Sequence, residues 1–261
     1  MTDRRQRQKE QRAAKREAEK KRGQRRELGK RITTAVVFGV VVIGVILLAN
    51  LAGGEEDLSG SYQGFRDQPT ACGADQPPPV EIQTFETPAP QPDLSSAASA
   101  TATISTSCGE IVIELALADS PDTVESFVFL ARQGFYDGQA FHRIATDFVV
   151  QGGDPNADGT GGPGYVIADE HPPDDFVYEA GVVAMANRGA GTTGSQFFIV
   201  IGESGRFLTN AFNVLGTVVD GQEALDLIAE VPTTTSPGSA EESLPLESVY
   251  IESVVIEVSD S

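Results

Sequence analysis

Lysine is missing from the whole chain after Lys30, tryptophan is missing altogether, and cysteine and histidine occur only twice each in 261 residues. Each scarcity excludes something. Two cysteines cannot build a disulfide-dense scaffold or a four-cysteine zinc site, and two histidines leave little for a histidine-rich metal centre. Basic residues are almost as confined. Residues 1–31 hold 14 of the 19 Lys and Arg against five acidic side chains, whereas residues 32–261 hold five Arg against 33 Asp and Glu. Phosphate backbones are bound by clustered Lys and Arg, so a region this acidic excludes a nucleic-acid partner. Its lack of Lys also points to a salt-tolerant surface.

What is present begins with a membrane signature. Residues 32–52, ITTAVVFGVVVIGVILLANLA, carry no charge over 21 positions. A helix needs about 20 such residues to cross a bilayer. The basic region before it is long for a signal peptide, and neither an A-x-A-like cleavage site nor a lipid-accepting cysteine follows. The run therefore reads as an uncleaved transmembrane helix. Lys and Arg stay on the cytoplasmic side. Residues 1–31 become a cytoplasmic tail, suited either to anionic lipid or to a solvated topogenic role. The rest of a single-pass cell-membrane protein then lies outside the cytoplasm.

Residues 53–100 are rich in Pro, Ala, Ser and Gly and read as a linker that cannot fold alone. Cys72, in TACGA, and Cys108, in TSCGE, both fall outside the membrane, where disulfides persist. A bond between them would staple the linker to the following domain and stabilise it by about 3–4 kcal/mol. Two free thiols are the alternative.

A folded domain spans residues 101–261. TATISTSCGEIVIELAL alternates apolar and polar residues about a Cys-Gly turn, as a hairpin does. Ser120-Pro121 supplies an N-cap and a first helical residue for a helix that runs to residue 132 and is closed by Gly134. GQEALDLIAEV predicts a second helix over about 222–231, and PTTTSPGSAEESLP a flexible loop. Short apolar pieces (AFHRI, FVVQG, YVIAD, GVVAMA, SQFFIVIG, NVLGTVV and LESVYIESVVIEV) read as strands. Many short strands and few helices make an all-β sandwich or barrel, whose edges a C-terminal strand paired to residues 101–117 would remove.

Several patterns imitate chemistry. Asp154 to Gly159 matches half of a calcium loop, but the twelfth position is Tyr165, not a bidentate Glu. GTGGPG at 159–164 leads into no helix and has no Lys nearby, so it reads as a loop that passes close to a ligand or turns tightly rather than as a phosphate cradle. Ser195 lacks the G-x-S-x-G elbow that would make a triad with His142. His142 and His171 share no metal motif, and no metal or other cofactor is expected.

Four segments carry more information. FHRI leads to FVVQGGD at 141–154; GTGG follows at 159–162; MANRG leads to GSQFFI at 185–199; and Phe207-Leu208 leads to VLG at 214–216. In this order and separation they resemble the cyclophilin-type peptidyl-prolyl isomerases over about residues 101–258. The resemblance implies a closed eight-stranded antiparallel β-barrel capped by two helices, with its groove on the outside. It also implies Arg143 as the catalytic arginine, with Phe148 and Gln151 beside it. Phe148, Val149, Phe198 and Leu208 would form the proline pocket, with Phe207 and Phe212 at its edge. Gln151, Ala186, Asn187 and Gln196 would hold the substrate backbone, and Gly159 and Thr160 would border the next subsite.

Departures from the family pattern are also visible. Val149 stands where Met is frequent, Phe207 where Trp is common, Phe212 for a frequent His, Thr193 for a common Asn, and Thr146-Asp147 for the usual Pro-Gly. Losing the indole donor at Phe207 implies weak cyclosporin binding. The expected activity is isomerisation of X-Pro bonds in secreted or envelope polypeptides, assisting their folding. A proline-peptide-binding scaffold or holdase without useful turnover is the alternative.

Overall fold

The computed structural model describes residues 59–236 and 239–260, with only the backbone of 59–61. The basic tail, the expected transmembrane helix and residues 53–58 lie outside the described residues. Among those described, no helix is long and apolar enough to cross a membrane.

Eight antiparallel strands make one curled sheet, in the order β10-β1-β2-β7-β5-β6-β4-β3. They are β1 (Ala97–Thr106), β2 (Gly109–Leu115), β3 (Arg143–Ala145), β4 (Val149–Gly152), β5 (Val182–Met185), β6 (Phe197–Val200), β7 (Val214–Asp220) and β10 (Ile251–Asp260). The Cys-Gly hairpin joins β1 to β2, and β10 pairs with β1 along its length. The closed barrel implied by the resemblance is here a curled sheet whose outer strands do not pair as strands. Its ends are joined more sparsely. Gly138 N–H donates to Ile251 O (2.7 Å), Ile251 N–H to Gln139 O (2.8 Å) and Phe141 N–H to Val249 O (2.9 Å).

Side-chain alternation divides the apolar residues into two bodies. In β1 and β2, Ala102, Ile104, Ile111 and Ile113 point into the core while their neighbours meet solvent. β5 and β6 are buried at every position. Val183, Met185, Phe197 and Ile199 enter the main core, while Val182, Ala184, Phe198 and Val200 join a second cluster on the opposite face. A strand covered on both faces must be apolar throughout, which explains the unbroken run FFIV.

Among the described residues three α-helices complete the fold: α1 (Ser59–Arg66), α2 (Pro121–Arg132) and α3 (Gln222–Ala229). Helix α2 packs against β10 and β7, and α3 against β2 and β3. The expected Ser120 side-chain cap is not made. Instead the Glu170 carboxylate accepts from Asp122 N–H (3.0 Å), Thr123 N–H (2.7 Å) and the Thr123 hydroxyl (2.6 Å). Gly134, at φ +67°, closes α2 as expected. Helix α3 ends two residues early because Pro232 disfavours helical geometry at Val231.

Three further expectations are corrected. The segment taken as a free linker lies on the domain from residue 59, and strand structure starts at Ala97 rather than at 101. Phe65 and Ala71 are buried, Phe85 meets the Phe129 ring edge-on at 5.0 Å, and Ser248 N–H donates to Pro69 O (2.7 Å). Pro-rich chain cannot bury its own core, but it can lie flat and insert single rings into another. Cys72 and Cys108 are bonded, with Cα atoms 5.3 Å apart. The loop expected to be flexible is a hairpin of β8 (Thr233–Thr235) and β9 (Glu242–Pro245), and β9 lies beside β3.

Candidate active site

The second apolar cluster has a polar border, and strand register sets both. Arg143 on β3 pairs with Gln151 on β4, and Gln151 pairs with Phe198 on β6. Alternation then puts Val149, Gln151 and Phe198 on the outer face while Val150 and Ile199 fill the core. Val149, Phe198, Phe148, Leu208, Phe212 and Ala186 meet in this cluster, and Phe198 and Phe212 touch edge-to-face at 5.4 Å. Tyr178 holds the rim. Its hydroxyl donates to Phe212 O (2.7 Å), and burial pushes its pKa up to about 12.

A line of hydrogen bonds runs along the border. Arg143 Nη1 donates to Gln151 Oε1 (3.1 Å), Gln151 Nε2 to Gln196 Oε1 (3.0 Å), and Gln196 Nε2 to Gly161 O (2.9 Å). The guanidinium carbon of Arg143 stands 5.4 Å from the centre of the Phe148 ring. Its other edge meets Glu241, which accepts from Nε (2.8 Å) and Nη2 (2.7 Å). Burial alone would raise the Glu241 pKa, but Arg143 and the Ser243 hydroxyl outweigh it and hold the carboxyl below its ordinary value.

The neighbouring rim is built from turns. Asp154 is fully buried, and its oxygens accept from Asn156 N–H (2.8 Å) and Gly159 N–H (2.5 Å). The residues that imitate a calcium loop thus fold a turn. Gly161 is required there, since a Cβ would fall 2.1 Å from Asp154 Oδ1. Thr160 donates from its amide and hydroxyl to Asp158. Arg188 Nη2 donates to Gly159 O (2.7 Å), tying this rim to the Asn187 loop.

Most of the expected residues are brought together, and two sit differently. Phe207 closes a short 3-10 turn and is 61% exposed, outside the cluster that holds Leu208. The Asn187 side chain is turned inward: its amide donates to Ala211 O (2.7 Å) and its Oδ1 accepts from Gly189 N–H (3.1 Å). Ser195 is buried and its hydroxyl donates to Gly153 O (2.7 Å), so it is not presented as a nucleophile. Burial holds the His142 pKa below the ordinary imidazole range against the opposing pull of Asp154, which favours the neutral ring. Glu241, Ser243, Arg188 and Tyr178 escaped the sequence reading. For Glu241 the available signal was a β-prone TTT ahead of a Pro-Gly pair.

Residues 101–256 fit the model of the family described as cyclophilin type peptidyl-prolyl cis-trans isomerase/CLD. A peptidyl-prolyl cis-trans isomerase B of Streptomyces anulatus is 40% identical over 173 residues, covering 60% of this chain and 95% of that protein. A probable peptidyl-prolyl cis-trans isomerase B of Mycobacterium tuberculosis is 41% identical over 167 residues, covering 58% of this chain and 53% of that protein. A crystal structure of a Cryptosporidium parvum cyclophilin type peptidyl-prolyl cis-trans isomerase, in the presence of the dipeptide Ala-Pro, is similar with a TM-score of 0.54 and 29% identity. That likeness covers 60% of this chain and 98% of the other.

Proposed function

The chain belongs to the cyclophilin-type peptidyl-prolyl cis-trans isomerases, and from that premise we propose that Arg143 carries the reaction while the outer apolar cluster takes the proline ring. An X-Pro amide resists rotation by about 20 kcal/mol because rotation destroys its resonance. As resonance is lost, the prolyl nitrogen becomes pyramidal and gains a lone pair. A guanidinium donor directed at that nitrogen stabilises the twisted form more than the planar one, which is the condition for catalysis. No nucleophile or proton relay is required. One charge-assisted hydrogen bond is worth about 1.5–3 kcal/mol net, roughly ten- to a hundredfold in rate.

The remaining acceleration comes from holding. Phe148, Val149, Phe198, Leu208 and Phe212 grip the ring, while Gln151, Gln196 and the backbone of Ala186 and Asn187 hold the flanking chain. Gly159 and Thr160 border the residues before the proline. Phe207, exposed and without an indole donor, offers cyclosporin little. The observation that carries the reading is the placement of Arg143, over Phe148 and in register with Gln151, at the edge of the apolar cluster.

The test is exchange of an Ala-Pro peptide followed by NMR, with the full chain in detergent and its Arg143→Ala variant. A loss of at least tenfold in a folded variant is expected. Undiminished exchange would overturn the role of Arg143, and binding by the wild type without acceleration would favour the scaffold.

We also propose that residues 32–52 anchor the chain in the cell membrane and leave the isomerase domain outside, where it meets secreted or envelope polypeptides. Their uncharged length and the basic flank support this. Alkaline extraction should leave the chain in the membrane pellet, and external protease should reach the domain in spheroplasts. Release by extraction would refute the anchor.

A further inference from the structure

We infer that Glu241, from the β8–β9 hairpin, is a positioning residue for isomerisation, fixing the plane and direction of the Arg143 guanidinium. The inference rests on the proposed role of Arg143. Glu241 lies 98 residues beyond Arg143 in sequence, outside every motif that marks the groove. Its carboxylate meets Nε and Nη2 as a two-pronged fork, the geometry that only arginine matches. Nη1 is held separately by Gln151, and the Phe148 ring covers one face. Arginine has five N–H donors. Three are engaged, which leaves one on Nη1 and one on Nη2 for a bound chain.

The carboxylate is itself braced before it meets Arg143. Ser243 Oγ donates to Glu241 Oε2 (2.8 Å), and Glu241 N–H donates to Ser239 Oγ (3.0 Å). Ser243 is buried in β9, whose pairing with β8 fixes its place. Both partners of the ion pair are mostly shielded, with side chains 21% and 24% exposed. The brace therefore comes from the fold rather than from a loose surface contact. It also changes what the arginine offers. With a carboxylate on its far edge, Arg143 acts through directed hydrogens rather than through unpaired positive charge. A substrate gains from the alignment of its prolyl nitrogen and little from carrying acidic residues.

The test measures kcat and KM separately by NMR exchange over a range of Ala-Pro peptide concentrations, using the full chain in detergent. Glu241→Gln keeps the shape but loses the second acceptor and the charge. Its kcat is expected to fall about tenfold, with KM within twofold of wild type. Glu241→Asp should recover part of the loss and Glu241→Ala none. The Arg143 Nε–H signal in side-chain nitrogen spectra should report restricted rotation in the wild type and free rotation in Glu241→Gln. Should Glu241→Gln fail to fold, Ser243→Ala removes only the brace and is expected to lower kcat two- to threefold. Wild-type kcat in the folded variants overturns the inference. A raised kcat also overturns it, since the hairpin would then restrain the arginine rather than place it. If Arg143→Ala retains full activity, the proposed role of Arg143 fails; loss in that variant with wild-type Glu241→Gln sinks only the role of Glu241.

Discussion

Asp147 stands at φ +60°, a left-handed conformation that costs most side chains about 1–2 kcal/mol, in a position where the family commonly has glycine. Its carboxylate offsets that cost by accepting from Glu203 N–H (3.2 Å) and the Ser204 hydroxyl (3.1 Å), which fixes the 3-10 turn before Leu208. Gly202 lies so close that a Cβ would fall 2.4 Å from the Asp147 carbonyl carbon. Asp147→Ala keeps the strained backbone and loses both bonds, so it should lower stability by about 1–2 kcal/mol in chemical denaturation. Asp147→Gly loses the bonds but also the strain and should be nearer neutral. At this scale the sequence is most legible where a motif names the residue, as at Arg143, Gln151 and Phe198. It is silent where two distant residues meet. The pair of Glu241 with Arg143 leaves no periodic trace, because neither side chain's place in its own strand depends on the other.

Elements are legible to the extent that their boundary signals are local. Pro121 and Gly134 mark α2 from within its own sequence. Its cap does not, since Glu170 reaches it from 48 residues away from Asp122. Glu170→Ala should cost about 1–2 kcal/mol, as loss of a helix cap does, and Glu170→Gln somewhat less, both read by thermal unfolding. The arm over 59–96 was illegible for a different reason. Composition measures what a segment buries by itself, and this one buries its rings in the domain. Its attachment should depend on alkaline pH. The Tyr62 hydroxyl lies 2.8 Å from both Pro78 O and Gly138 O and shares its one hydrogen between them, and burial pushes its pKa from 10.0 up to about 12. The neutral phenol is thus favoured in the fold. Its contribution is complete below pH 10 and disappears as pH rises towards 12. Stability in urea should therefore fall over that interval, and by less in Tyr62→Phe.

For the whole molecule the dominant fact is charge. Residues 32–261 carry 33 acidic side chains against five arginines, so the compact domain repels itself. Salt shortens the reach of that repulsion to about 10 Å at 0.1 M. The melting temperature should rise between low salt and 0.5 M sodium chloride, and a flat response would mean that self-repulsion of the acidic groups does not limit stability. The all-β class is readable from strand alternation at this scale, and the outer groove only through the family resemblance; the covalent loop through Cys72 and Cys108 is not, because spacing alone does not choose between a bond and two thiols. The bond gives the molecule a mechanical shortcut. Load applied at α1 and at the C-terminus passes along the covalent chain from residue 72 directly to residue 108, so β1 is bypassed by the backbone path and feels load only through its hydrogen bonds to β10 and β2. Thirty-six residues of contour, about 120 Å when extended, stay hidden in single-molecule stretching and should appear only after the disulfide is reduced.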